Sequence, residues 1–317
     1  MQSDIEALLV VSFGGPEKHE DVMPFLENVT RGRGIPRERL LEVSEHYHHF
    51  GGRSPINDQN RELIAALKEA GCPVPIYWGN RNWHPFLADT VRQMQADGIK
   101  RAAAFITSAF GSYSGCRQYL DDIDRVRAEV GSGAPELVPL PLFWDHPGFV
   151  GPTIEHVREA LAQFPAPPHL AFTAHSVPLS MTVNSPYVGQ LEQTCARVAS
   201  SLGHADSALV YQSRSGPPTQ PWLEPDILDH IRSLHAKGRR DIVIAPIGFI
   251  SDHMEVLYDL DTEAADLCAK LGMRMERAKT VGTHPDFVRM ILDLGGSARA
   301  CPADCCPRPQ RPTASGR

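Results

Sequence analysis

Glu255, Asp259 and Glu263 recur every fourth residue in SDHMEVLYDLDTEAADLCAKLG, residues 251 to 272. Read as a helix, this segment stacks three carboxylates on one face and sets Leu257, Leu260, Ala264, Leu267 and Leu271 on another. Like charges at that spacing cost a helix roughly 0.2–0.5 kcal/mol per pair. Asp252, Asp261 and Asp266 add to the burden, and no Lys or Arg precedes Lys270. Such a row is either a solvated acidic face or a surface that places cations. His175 supplies a different donor. It ends an apolar run and is followed by Ser176 and Pro178, so a strand would fix its ring while a loop admits a ligand. Neutral imidazole ligates a transition ion or accepts a proton near neutral pH. Ser176 has no GxSxG elbow around it, which argues against a serine hydrolase. Hard carboxylates plus one borderline nitrogen suit Fe²⁺, or a similar first-row ion, held loosely enough to be passed on. A Glu beside a His would serve equally as an acid–base pair. Asp259 and Glu263 would then relay cations from solvent to Glu255. His253, at the helix start, reads as a cap or surface residue.

Thiols form a second cluster. Cys301, Cys305 and Cys306 fall within six positions of a Gly-, Pro-, Ser- and Arg-rich tail. Without a staple that tail is expected to be disordered. Clustered cysteines in a reducing compartment read as metal or iron–sulfur ligands, and not as disulfides. Cys116, in a loop after a strand, is the natural fourth ligand. Four thiolates fit zinc and fit an iron–sulfur cluster equally. Cys72, Cys195 and Cys268 lie in helical context and read as small buried hydrophobes.

Two further segments carry possible ligand contacts. TRGRGIPRER holds Arg31, Arg33, Arg37 and Arg39, guanidiniums able to hold carboxylates by paired hydrogen bonds. EHYHHFGGRSPIND mixes Tyr47, Phe50, Arg53 and Ser54 with a Gly pair, a mixture that suits a flat, anionic, aromatic ligand.

The 317-residue chain is long enough for two domains. Its 42% hydrophobic and 22% charged residues are those of an ordinary globular protein. A net charge of -7 argues against nucleic acid as the main partner. No apolar run approaches the ~20 residues of a membrane span, and the N-terminal residues lack the basic flank of a signal peptide. A cytoplasmic location is therefore expected.

The elements that must position these groups alternate. Strands are predicted at 8–13, 74–80, 101–109, 136–144, 169–176, 206–213, 241–249 and, more weakly, 273–282. Helices are predicted near 59–71, 84–97, 117–130, 148–164, 187–202, 224–238, 253–272 and 284–294. Most strands are continuous apolar runs, as in sheets covered on both faces. The pattern predicts an α/β protein of two Rossmann-like, doubly wound, parallel-sheet domains, at 1–145 and 146–296, with a hinge in the Pro-rich stretch from Pro139 to Pro152 and a Cys-containing tail at 297–317. The last helix of the second domain is expected to be able to pack back on the first. Motifs FGGP, SAFGSYSGC, TAHSVP, YQSRSGPP and GFISDHMEV all follow strands and would line one cleft. There is neither a GxGxxG fingerprint nor a P-loop.

Taken together and in order, LLVVSFGGPE, FLENVTRGRGIP, HYHHFGGRSPIN, FTAHSVP and GFISDHMEVLYDLD resemble the ferrochelatases over nearly the whole chain. The likeness is greatest to the actinobacterial coproporphyrin III enzymes that carry a 2Fe–2S cluster. The resemblance implies a porphyrin cleft between the domains and insertion of Fe²⁺ into coproporphyrin III to give coproheme. It implies His175 and Glu255 as iron ligand and proton acceptor facing each other across the cleft, with Asp259 and Glu263 as the family's row of acids that hold or guide the metal. Phe13, Arg31, Tyr47, Ser54 and Tyr119 match porphyrin-contacting positions. Cys116, Cys301, Cys305 and Cys306 match the ligands of the 2Fe–2S cluster. A monomer is expected, with a coproheme decarboxylase as downstream acceptor. This chain departs from the pattern in three places. Phe13 stands where many relatives have Tyr or Met, His46 stands where some have Arg, and Cys305 and Cys306 are adjacent. Chelation of another tetrapyrrole or metal (protoporphyrin IX, cobalt, nickel) and a non-enzymatic haem or iron–sulfur carrier are the competing readings.

Overall fold

A computed structural model describes residues 4–32, 34–215, 220–295, 297–302 and 304–308; Arg33 of the basic segment and part of YQSRSGPP lie outside them. Eight strands form two parallel four-stranded sheets. The first contains β1 (Ala7–Ser12), β2 (Ile76–Asn80), β3 (Arg101–Ile106) and β4 (Glu136–Pro139) in the order β2-β1-β3-β4. The second contains β5 (His169–His175), β6 (Ser207–Gln212), β7 (Asp241–Ala245) and β8 (Arg274–Arg277) in the order β6-β5-β7-β8. The two halves thus repeat one winding.

Alternation along each strand explains the layers. Leu8 and Val10 of β1, Leu170 and Phe172 of β5, and Val243 of β7 point into one core shared by both sheets. Helices Ile56–Glu69, Pro147–Leu161, Tyr187–Ser201 and Pro285–Leu294 fill that shared layer through Leu67, Phe149, Leu191 and Phe287. Phe287 also stands edge-on to Phe105 at 6.2 Å. Each such side chain contributes about 1.5–3 kcal/mol by leaving water. On the opposite faces, Ala7, Leu9 and Val11 pack on helices Leu87–Ala96 and Gln118–Val130. Ala171, Ile242 and Ile244 pack on helix Ile227–Ala236 and on the helical segment 254–270. Strands covered on both faces account for the unbroken apolar runs.

All eight predicted strands are present, mostly shorter than the apolar runs that announce them. Two helices, Val22–Val29 and Arg37–His49, escape the sequence reading. They form a satellite core of Val22, Phe25, Leu26 and Leu40. The second is polar over most of its length, so its periodicity is faint.

The acidic segment is not a regular α-helix. Residues Leu257–Ala264 form a π-helix between Met254–Val256 and Ala265–Lys270. The buried stripe is Val256, Leu260, Ala264 and Cys268, spaced by four throughout; it keeps Leu260 and Ala264 of the expected face, whereas Leu257, Leu267 and Leu271 are only partly buried. Glu255, Asp259 and Glu263, each one residue earlier, run together along the flank beside that buried stripe.

Candidate active site

In both sheets the strand order reverses between the first two strands laid down at the centre, β1/β3 and β5/β7. Crevices open at such switch points, beyond the carboxyl ends of the strands. His175 is the last residue of β5, and Glu255 lies on the segment that follows β7. Gly248 allows the approach. A Cβ there would come within 2.7 Å of the Ala174 Cα, and its N–H donates to the Thr173 carbonyl at 3.0 Å. The loop after β7 is thereby laid directly on the end of β5.

His175 Nδ1 bonds the Ser176 carbonyl, which fixes the ring and turns Nε2 toward Glu255 Oε1 at 3.7 Å. His175 and Glu255 are therefore neighbours on one wall, both from the second sheet; the expected placement on facing walls is corrected. His253 caps the segment, its Nδ1 accepting from the Glu255 N–H at 3.2 Å. Asp259 follows one turn later. Its Oδ2 accepts from the Ser213 hydroxyl and from Gln212 Nε2 at 3.3 Å; the same amide nitrogen donates to the Glu255 carbonyl at 3.0 Å. Ser213 adopts a left-handed backbone, φ 62°, to reach it. Gln212, Ser213 and the Tyr187 hydroxyl, which donates to the His175 carbonyl at 3.0 Å, were not found by sequence reasoning. Each lies on an element chosen for packing, and only their position at strand or helix ends hints at the role.

Electrostatics divide the labour among these groups. Burial disfavours the charge on His175, but the Glu255 carboxylate beside it prevails and raises the imidazole to about 9. Burial likewise opposes the charge on Glu255, and His175 overrides it, lowering the carboxyl to about 2. Burial pushes Asp259 up to about 7; the Ser213 hydroxyl opposes this, and the charges of Glu255 and Glu263 reinforce it. Burial and the charge of Asp226 raise Glu263. At neutral pH the site is thus an imidazolium–carboxylate pair backed by one carboxyl that titrates in the working range and one nearer the surface. These groups form one electrostatic column.

The porphyrin-contact candidates are placed unequally. Phe13, just beyond β1, is 36% exposed and stands edge-on to Phe25 at 6.3 Å, which in turn meets Tyr47 at 5.8 Å. Burial and the Glu255 charge raise the Tyr47 hydroxyl, so Tyr47 borders the acidic column. Arg31 is exposed after helix Val22–Val29. Ser54 is 4% exposed, and Tyr119 is 5% exposed beneath the Arg81 guanidinium at 4.4 Å; both are largely covered. His46 stacks on Tyr258 at 3.8 Å, tying helix Arg37–His49 to the π-helix. Among the described residues the exposed large apolar side chains are Phe13, Ile35, Leu41, Leu179 and Val183. Phe13, Leu179 and Val183 leave the ends of the two central strands, where an apolar ring face would rest.

The described residues of the tail are held against the body. Arg299 N–H donates to the Pro139 carbonyl at 2.9 Å and its Nε to that of Leu140 at 2.9 Å. Cys306 N–H donates to the Asn184 carbonyl at 3.0 Å. Arg299 Nη1 donates to Cys116 Sγ at 3.1 Å, and Cys305 and Cys306 sulfurs lie 3.5 Å apart. A hydrogen bond from Cys306, against burial and with the help of Arg299 and Arg117, lowers Cys116 to about 6. Its bond to Cys116, with burial and Cys305, raises Cys306. Burial and the charge of Cys116 raise Cys301. All four thiols therefore interact, and their chemistry fits a soft metal or iron–sulfur group. Among the described residues no three His, Cys, Asp or Glu side chains stand in metal-binding geometry. Cys195 and Cys268 are buried as expected, and Cys72 is half-buried.

Comparison with known proteins agrees with this architecture. Solved structures of a SirB from Bacillus subtilis with Fe³⁺ (TM-score 0.56, 11% identity, 91% of this chain and 93% of that one) and of CbiX, described as the terminal enzyme for siroheme biosynthesis in denitrifying bacteria (TM-score 0.52, 13% identity, 91% and 97%), share the fold. A ferrochelatase from Rhodopirellula baltica is 53% identical over 98% of this chain and 96% of its own. Coproporphyrin III ferrochelatases from Nocardia farcinica and Mycobacteroides abscessus are 48% and 52% identical, covering 99% and 91% of this chain and 99% and 87% of theirs. The ferrochelatase family model matches residues 5–297, a span that takes in both sheets and the His175–Glu255 column, and the chain belongs to the ferrochelatase family.

Proposed function

We propose that this chain inserts Fe²⁺ into coproporphyrin III, giving coproheme, with His175, Glu255, Asp259 and Glu263 as the metal-loading column. The observation that carries the reading is that column: one fixed imidazole and three carboxylates with separated proton affinities at a switch-point crevice. Relatives about half identical, named for coproporphyrin III, support the choice of ring.

The ring must release two N–H protons and accept a dication. His175 Nδ1 stays bonded to the Ser176 carbonyl, which leaves Nε2 as the ligand position once its proton is gone. Fe²⁺ arriving at Glu255 would take over from the imidazolium as the carboxylate's counter-charge, and His175 would release its Nε2 proton to solvent. Glu255, lowered to about 2, is a poor proton acceptor at neutral pH but a lasting negative partner for the metal. Asp259, near 7, is matched to accept the two ring N–H protons one after the other, passing each on to solvent. Glu263, farther along, would meet incoming cations. Phe13, Arg31 and Tyr47 would face the ring and its propionates, while Ser54 and Tyr119 would shape the pocket from beneath.

Cys116, Cys301, Cys305 and Cys306 would hold a 2Fe–2S cluster, which when bound supplies a one-electron centre and a cross-link between the tail and the body. Arg299 and Arg117 offer N–H groups and positive charge beside the thiolates. A cytoplasmic monomer that yields its product to a coproheme decarboxylase completes the proposal. Anaerobic incubation with Fe²⁺ and either coproporphyrin III or protoporphyrin IX, followed by pigment identification, tests the substrate. Coproheme as the dominant product is expected. Preference for protoporphyrin IX, or for Co²⁺ or Ni²⁺ over Fe²⁺, would replace the assignment.

A further inference from the structure

A recess of about 250 Å³ is lined by Arg31, Arg81, Arg125 and Arg308. Four guanidiniums from separate segments converge there, in a chain whose net charge is -7. Asp122 is the single carboxylate in its lining, and it is already shared. Its Oδ2 accepts from Arg81 Nε at 2.6 Å and its Oδ1 from Arg125 Nη2 at 3.1 Å. Among the described residues no ion pair engages Arg31 or Arg308. Glu129, on the same helix, also pairs with Arg125, its Oε2 lying 3.7 Å from Nη1, so the excess of positive charge in the lining rests on Arg31 and Arg308.

The recess is also built. The Arg81 side chain is only 6% exposed. It lies over the Tyr119 ring at 4.4 Å, and its backbone N–H donates to the Ser12 carbonyl at 3.0 Å. A guanidinium desolvated this far, clamped by a carboxylate on one edge and a ring on its face, is pre-organised for planar anions. Arg308 arrives from the tail two residues beyond Cys306, so the recess is complete only when the tail is docked.

We infer that this recess is a binding site for one oxoanion, a carboxylate or phosphate group, held by Arg81 and Arg125 and closed over by Arg308. The same chemistry has two sources, a propionate arm of the ring substrate or a free anion such as inorganic phosphate. The inference does not depend on the iron-insertion reading, because phosphate binding can be measured without ring or metal.

The test is calorimetric titration of the full-length protein with inorganic phosphate at low ionic strength, beside titration with coproporphyrin III followed by fluorescence. Arg125→Ala/Arg308→Ala is compared with wild type and with Arg232→Ala, whose guanidinium pairs with Asp229 on a helix of the second sheet. Saturable phosphate binding, weakened about tenfold or more in the double variant and unchanged in Arg232→Ala, is expected. Competition of phosphate with coproporphyrin III identifies the propionate as natural occupant; phosphate binding that leaves porphyrin affinity unchanged identifies a free anion. Thermal melting confirms that the double variant is folded, and Arg125→Lys/Arg308→Lys, which keeps charge but loses the planar fork, serves as a second variant. Absence of saturable phosphate binding together with unchanged porphyrin affinity in both double variants would overturn the inference, as would equal phosphate affinity in all four proteins.

Discussion

Replacing Glu255 by Gln removes the charge that keeps His175 protonated and leaves the ring otherwise in place. At 3.7 Å two unit charges attract by ~1 kcal/mol in water and by ~4.5 kcal/mol at an effective dielectric of about 20. The two side chains retain 34% and 44% of their surface, so solvent screens the pair and a value of roughly 1.5–2 kcal/mol applies. That corresponds to a fall of about 1–1.5 pKa units. Burial, which works against the imidazolium throughout, is no longer opposed by Glu255. The His175 imidazole should therefore titrate at least one unit lower in Glu255→Gln than in wild type. Long-range proton–nitrogen NMR of the histidine rings reads this directly, the His175 signals being assigned by their loss in His175→Gln. Iron affinity adds an independent check: the variant should release fewer protons on binding Fe²⁺ at pH 7 and bind it more weakly. A His175 titration that moves by less than about 0.3 unit would refute the reasoning, because the ion pair would then not govern the site.

Three further expectations concern different parts of the molecule. Gly248→Ala places a methyl 2.7 Å from the Ala174 Cα, so it should lower the melting temperature and slow iron insertion together, with a loss of about 1–3 kcal/mol; an unchanged melt would show that the loop has room to move. Protein purified without oxygen should be coloured and contain iron and inorganic sulfide in equal amounts, and Cys116→Ser should lose both; a colourless, zinc-containing wild type would remove the iron–sulfur proposal. His169 and His230 meet Nε2 to Nε2 at 2.9 Å, and burial, with the charges of His169 and Lys237, holds His230 down at about 4. The unfolded chain takes up that proton near 6.5, so the pair's stability is present above pH 6.5 and is lost as pH falls toward 4. The effect is on the order of 1 kcal/mol. Denaturant midpoints for wild type and His230→Asn should converge over that interval, and parallel curves would contradict the assignment.

The eight strands were legible because sheets covered on both faces demand long apolar runs, and LLVVSF, AFIT and DIVIAPIGF have no other use for them. Helix Arg37–His49 was not legible: its buried residues are Leu40 and Ser44, too few to set a period. Glu255, Asp259 and Glu263 could be found as a row, but the π-helix that carries them could not. The sequence pattern at 3.6 residues per turn favours Leu257, Leu267 and Leu271, all only partly buried, and the four-residue spacing of Val256, Leu260, Ala264 and Cys268 is visible only once packing is known. Facing walls for His175 and Glu255 were a natural guess from loops 80 residues apart, yet β5 and β7 are hydrogen-bonded neighbours, and adjacency in the sheet decides the matter. The tail was expected to be disordered unless stapled, and its described residues are held by contacts of another kind. Its order comes from Arg299 and Cys306 bonding the backbones of residues 139, 140 and 184, contacts that no local pattern announces.

The claim that everything turns on is that the ring of His175 takes part in placing iron and not in holding the tetrapyrrole. Porphyrin affinity and single-turnover insertion should be measured side by side in His175→Ala under anaerobic conditions. The account predicts porphyrin bound within a few-fold of the wild-type affinity and insertion slowed by about 10³-fold or more. Insertion at close to the wild-type rate would contradict it.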